Sequence, residues 1–234
     1  MHPLTRTART TGGLYLGVAV SGALGFLLLR PRLFAAGDPD ATLANLVEHP
    51  SLARLLVALE LLLVLTQALV AVWFYRLFRP VDPVAAGGIA AFGLVNAVVI
   101  LGSASLLATA AEVAREPFGD AAGTVQFAFL ISAGLWEAGS LFFGLWLVPM
   151  GRCVLRSGWM PRPLGWLLVA GGVGYVLSAF VTHLAPGAGA AAGVLVIPAT
   201  VGEVWMVGYL LLRGVNAAAP AAAPAPTLAT AANF

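Results

Sequence analysis

The sequence predicts an all-α protein: a polytopic membrane bundle of six transmembrane helices with both termini in the cytoplasm. Three observations lead there. The 234 residues include only 12 basic and 10 acidic ones, 9% charged, where a soluble domain carries about 25%. Hydrophobic residues make up 60% and mean hydropathy is +0.95, so the apolar surface exceeds what one small globule can hide from water. The apolar residues also fall into runs of the length that crosses a bilayer, about 20 residues each.

In chain order, residues 1–11 read as a cytoplasmic N-terminus, and Gly12–Leu29 is the first span. That run is too long for a signal-peptide core of about 7–15 residues, and Arg30 and Arg32 follow it where a cleavage site would need small residues. It is therefore expected to be a retained anchor. Between Asp40 and His49, the spacing of Leu43, Leu46 and Val47 predicts a short amphipathic helix on the outer interface, capped by Asp40. The remaining spans are Ser51–Leu77, Pro83–Ala111, Gly123–Met150, Pro163–His183 and Gly189–Leu212, which completes a transmembrane domain over 12–214. Asp82 followed by Pro83 is an N-cap with proline at the first helical position. Pro161-Arg162-Pro163 forces a break between spans four and five, and Gly214 stops the sixth helix. Residues 215–234 are rich in Ala and Pro, without a charged side chain, and read as a disordered cytoplasmic tail.

Arginine supplies every basic residue, and its distribution sets the orientation. Arg6, Arg9, Arg76, Arg79, Arg152, Arg156, Arg162 and Arg213 fall on one side; Arg30, Arg32, Arg54 and Arg115 fall on the other. Positive charge is retained in the cytoplasm, so the first group is inside. With a net charge of only +2 and no clustered basic face, nucleic acid is not expected as a partner.

Chemistry is expected from three glutamates inside apolar runs: Glu60, Glu137 and Glu203. A carboxylate within a span is disfavoured by about 2.5–3.5 kcal/mol, so each is expected to face the bundle interior with a partner or a proton. At 1.5 Å per residue, Glu203 lies about 15 Å from Arg213 and Glu60 about 24 Å from Arg76, which suits one polar cavity open to the outer half. Every arginine reads as a loop or helix-end residue, so no cation is expected beside these acids. Asn96 and Gln67 are the expected neutral partners, with Gln126, Thr66, Ser103 and Tyr175 as further candidates. Like charges in a low dielectric resist ionising together, so at least one acid is expected to be protonated. Trp136 and Trp205, close to Glu137 and Glu203 in sequence, would suit an organic cation through charge and cation–π contact. Adjacent helical residues point about 100° apart, which argues against that pairing.

Other machinery is not expected. Cys153 is the single cysteine, and His2, His49 and His183 have no second ligand at helical spacing, so neither a metal nor another cofactor is expected. No nucleophile elbow, zinc-protease helix or phosphate loop occurs, and no catalytic residue is assigned. The expected partners are the lipid bilayer and a small-molecule or cation ligand. Small residues at four-residue spacing, namely Gly13, Gly17, Ser21 and Gly25, then Ala170, Gly174 and Ser178, then Gly189 and Gly193, mark helix contact faces that could also serve a homodimer. Two function classes follow: binding or transport of a small cationic or lipophilic molecule, proton-coupled or not, and a structural or regulatory role in which the glutamates only pin helices.

From Glu137 to Leu177 the chain reads EAGSLFFGLWLVPMGRCVLRSGWMPRPLGWLLVAGGVGYVL, and Gly202–Asn216 reads GEVWMVGYLLLRGVN. These stretches resemble an uncharacterised family of small bacterial integral membrane proteins, domain of unknown function 4386. In that family FFGLWL-P-G leads to an SG-x-x-PR turn and a glycine-rich helix ending in GY. The resemblance implies a bacterial inner-membrane protein and no activity. Where that family is expected to carry Arg and Glu one turn apart in the third span, this chain has Gly93 and Asn96.

Overall fold

The computed structural model describes residues 3–215, so the tail expected over 216–234 lies outside the described residues. Among the described residues there are helices and no strands. Six helices are long and apolar enough to cross a membrane, and the protein is a multi-pass membrane protein. We number the helices α1 (Pro3–Leu33), α2 (Pro39–Glu48), α3 (Pro50–Phe78), α4 (Pro83–Arg115), α5 (Ala121–Ser157), α6 (Arg162–Leu184), α7 (Gly189–Leu195) and α8 (Ile197–Leu212).

The first helix is longer than the apolar run alone suggests. It begins at Pro3, a residue that tolerates the first turn because its missing N–H has no partner there anyway. It then passes through Arg30 to Leu33. Ahead of Pro31 the ladder widens into π geometry over Ala23–Leu29. Proline cannot donate to the preceding turn and its ring crowds the carbonyl four residues back, which a wider turn relieves.

Capping chemistry fixes the next two starts. Asp38, not Asp40, caps α2 by accepting from the Ala41 N–H at 2.9 Å; the proline at 39 takes the first helical position and pushes Asp40 into the first turn. Asp82 caps α4 by accepting from the Ala85 N–H at 3.1 Å. At the end of α5, Gly158 adopts φ 66°, and Gly214 after α8 adopts φ 70°, a region closed to most side chains.

The sixth span is two pieces. Pro198 sits at the start of α8, and the α-helix is interrupted at Val196.

Packing closes the long helices into a ring in the order α1, α3, α4, α5, α6, α8 and back to α1. In lipid there is little hydrophobic drive between helices, so close approach must supply the attraction. The α5–α6 seam shows this. A Cβ at Gly144 would stand 2.6 Å from the Gly172 carbonyl oxygen, and one at Gly151 would stand 2.5 Å from that of Gly165. The four glycines repeat at seven-residue spacing and let the two backbones touch. Gly17 approaches Thr66 on α3, Gly12 approaches Leu210 on α8, and Gly174 approaches the Leu195 carbonyl, whereas Gly13, Gly189 and Gly193 face open space. Helix α2 lies across one end of the ring on α3, α4 and α5, with Thr42 and Leu46 buried beneath it. At the opposite end, Asp82 accepts from Arg152 (2.9 Å) and Arg156 (2.7 Å), which ties the start of α4 to α5.

Candidate functional site

The structure separates the three glutamates. Glu137 is exposed on the outer surface of α5. The inward face of that helix runs through Ser132, Gly139 and Trp146, all buried, and at 100° per residue Glu137 is turned about 160° away from Gly139. Glu137 therefore does not join the other two, and a single cavity holding all three acids is not formed.

Glu60, buried on α3, accepts hydrogen bonds at both carboxyl oxygens. Its Oε2 accepts from the Ser103 hydroxyl at 2.8 Å, and Ser103 is in turn 2.7 Å from Ser132. Its Oε1 accepts from the Trp136 indole N–H at 3.1 Å. The expectation that no cation reaches a membrane-depth acid is also overturned, because Arg30 Nη1 stands 3.9 Å from Glu60 Oε1, both side chains being buried. The reason is the unbroken course of α1. Arg30 belongs to the helix, and α2 covers it from the end, so the side chain turns inward instead of reaching a loop. Its Nη2 donates to the Phe129 carbonyl at 2.9 Å, and its guanidinium lies over the rings of Phe26 and Phe129, 5.6 and 5.8 Å from the centroids. Arg30 and Trp136 can only donate, and both meet Glu60 at Oε1, its acceptor oxygen.

Glu203, half-buried on α8, has different company. Tyr15 of α1 donates its hydroxyl proton to Oε1 at 2.5 Å. Tyr15 itself is held by edge contacts to Phe74 and Trp146, at 5.3 and 5.4 Å between centroids. These two residues line a cavity of about 430 Å³ bounded by α1, α5 and α8, with Trp136, Phe143 and Thr200 on its walls together with Leu63 of α3. Leu16 and Val204, also on its lining, are exposed, so the rim reaches the bundle surface. The cavity has the size and apolar character of a small-molecule site with few convergent polar groups. A larger cleft of about 730 Å³ beside α2 has Arg54, Glu112 and Arg115 on its walls. Arg115 is already paired with Glu112 and Glu116.

Trp136 touches both centres. Its N–H serves Glu60, its ring packs on Phe26 at 5.0 Å, and the same side chain walls the Glu203 cavity. Trp205 is 39% exposed and does not line the cavity. Asn96 and Gln67 are buried, yet neither hydrogen-bonds a glutamate, and all four of their polar side-chain atoms lack a partner. Gln126 pairs with Thr42 of α2, and Thr66 bonds back to its own helix. No group of three or more metal-ligating side chains occurs among the described residues.

Sequence reasoning missed Arg30 and Tyr15. The sequence carries no clear signal for Arg30, which closes the first apolar run, whereas Glu60 lies nine residues, about 14 Å, into the second. Tyr15 could be found only by knowing that the first and last spans are neighbours.

With this geometry in place, the comparison with known families is decisive for kinship. A family model described as Domain of unknown function (DUF4386) matches residues 10–214. The chain belongs to that family. No curated protein and no solved structure matches it. Family membership covers every span of this DUF4386 protein and assigns it no activity.

Proposed function

We propose that this DUF4386 protein binds a small lipophilic cation in the cavity between α1, α5 and α8, in a bacterial inner membrane with both termini cytoplasmic. One observation carries the reading: Glu203 places a carboxyl with a single hydrogen-bond partner among the described residues in a cavity walled by Trp136, Phe143 and Tyr15. Aromatic faces and a carboxylate together attract an organic cation, and more strongly where water is excluded. The exposed rim at Leu16 and Val204 would admit such a molecule from the lipid. Arginine asymmetry supports the orientation.

The competing structural role fits Glu60 better, because both of its oxygens are occupied by protein donors and Arg30 balances its charge. Radiolabelled tetraphenylphosphonium bound to purified protein in nanodiscs tests the proposal. Saturable binding that is lost in Glu203→Gln and retained in Glu137→Gln supports it. Equal binding of tetraphenylphosphonium and the anion tetraphenylborate would refute it, since shape alone would then explain retention. Uptake of the same cation into proteoliposomes extends the test to transport.

A further inference from the structure

The seam of α3, α4 and α5 carries polar side chains in layers. On α3, Glu60 and Gln67 are seven residues apart; on α4, Ser103 and Asn96; on α5, Ser132, Gly139 and Trp146. Because α3 and α4 run in opposite directions, the pair Glu60 and Ser103 forms one layer and Gln67 with Asn96 the next, about 10 Å further along the bundle. The first layer is satisfied. The second is not.

Gln67 Oε1 and Nε2, Asn96 Oδ1 and Nδ2, and Trp146 Nε1 all lack a hydrogen-bond partner. Gln67 is fully buried, and Asn96 and Trp146 are each 1% exposed. The glycines show that these groups converge. A Cβ built on Gly93 would lie 3.5 Å from Gln67 Nε2 and 3.2 Å from the Trp146 ring, and one on Gly139 would lie 3.4 Å from Asn96 Oδ1. Gly93, where a Cβ would also meet Ala71 at 2.9 Å, and Gly139, where one would meet Val99 at 3.2 Å, therefore let the three helices approach closely enough to bring these polar side chains together.

We infer that Gln67, Asn96 and Trp146 form an internal water-binding site at the centre of the bundle. The donor set selects the occupant. Two primary amides and one indole offer both donors and acceptors without charge, which suits a small neutral molecule able to do both and rejects an ion. Five unsatisfied atoms can serve about two waters at roughly three hydrogen bonds each. Such an occupant is favoured because buried amides left unpaired in a membrane interior are strongly disfavoured and bulk water cannot reach them. The water would extend the hydrogen-bonded series that begins at Arg30 and Glu60 toward Trp146, whose ring abuts Tyr15. The inference does not rest on cation binding at Glu203.

Synchrotron radiolytic labelling of the intact protein in nanodiscs tests it. X-rays split water where it resides, and the resulting hydroxyl radicals oxidise the nearest side chains, read by mass spectrometry of peptides. Trp146 is inaccessible to bulk radicals, so its oxidation reports internal water. The expected result is Trp146 modification several-fold above that of the equally buried Phe74, falling to the Phe74 level in the double variant Gln67→Leu/Asn96→Leu. Wild-type Trp146 as unreactive as Phe74 would overturn the inference, and this arm needs no variant to fold. A double variant that melts higher than wild type while leaving Trp146 labelling unchanged would also overturn it, showing that the amides are dry or pair with each other.

Discussion

Removing one member of the Arg30–Glu60 pair should cost far more than removing both. At 3.9 Å, with an effective dielectric near 20, the two charges attract by about 4 kcal/mol. That attraction offsets a desolvation penalty of several kcal/mol per buried ion, so the pair as a whole contributes little net stability. Arg30→Met leaves the Glu60 carboxylate with Ser103 and Trp136 only, and Glu60→Leu leaves a buried guanidinium held by one carbonyl; each should destabilise by about 3–5 kcal/mol. The double variant Arg30→Met/Glu60→Leu should lie within about 1–2 kcal/mol of wild type, once the loss of the Ser103 and Trp136 hydrogen bonds is included. The coupling, the summed single effects less the double, is therefore expected at about 4 kcal/mol or more, measured as a double-mutant cycle of reversible unfolding in mixed micelles. Additive single effects, with a double variant as unstable as their sum, would show that the guanidinium and carboxyl are not paired.

Three further outcomes follow from the described contacts. Trp136→Phe should cost about 1.5–3 kcal/mol by depriving Glu60 of a donor while preserving most of the ring, checked by the same unfolding measurement. Gly172→Val should cost at least about 1–3 kcal/mol, because its backbone already meets the Gly144 carbonyl at the α5–α6 seam; a Tm equal to wild type would mean the helices are further apart. Arg152 and Arg156, with the Ala85 N–H, hold the Asp82 carboxyl well below its ordinary value, at about 2. A depressed folded pKa contributes stability that is complete above the unfolded value near 3.8 and is lost as pH falls toward 2. Asp82→Asn should therefore flatten the acid limb between roughly pH 4.5 and 2, by a modest amount because both arginines are at least half exposed.

Span number and helix type were legible because hydropathy over about 20 residues is a strong local signal in lipid. Local caps were readable for the same reason: Asp82-Pro83 and Gly214 act within one turn of their own position. What was hidden depended on neighbours. Glu137 and Glu203 look alike in sequence, both acidic residues amid apolar ones, and only the rotation of α5 and α8 within the ring decides that one is exposed and the other is bonded to Tyr15. Arg30 looked like a loop residue because hydropathy drops at Arg30-Pro31-Arg32, yet the helix continues through the drop and α2 roofs it. The polar seam was present as seven-residue spacing on three separate helices, but register between α3 and α4 is set by packing, which no single stretch records.

The wide turn at Ala23–Leu29 lets α1 carry one residue more than ordinary α geometry would hold over the same rotation. Deleting one residue from that stretch would let the ladder close back to ordinary α geometry with Arg30 still aimed at Glu60. Deleting one residue from the regular helix before it, where no wide turn takes up the change, would swing everything beyond by about 100° and turn the arginine away although no side chain of the pair had changed. A length scan of α1 should therefore find deletions tolerated within Ala23–Leu29 and not ahead of it, a dependence invisible to alanine scanning.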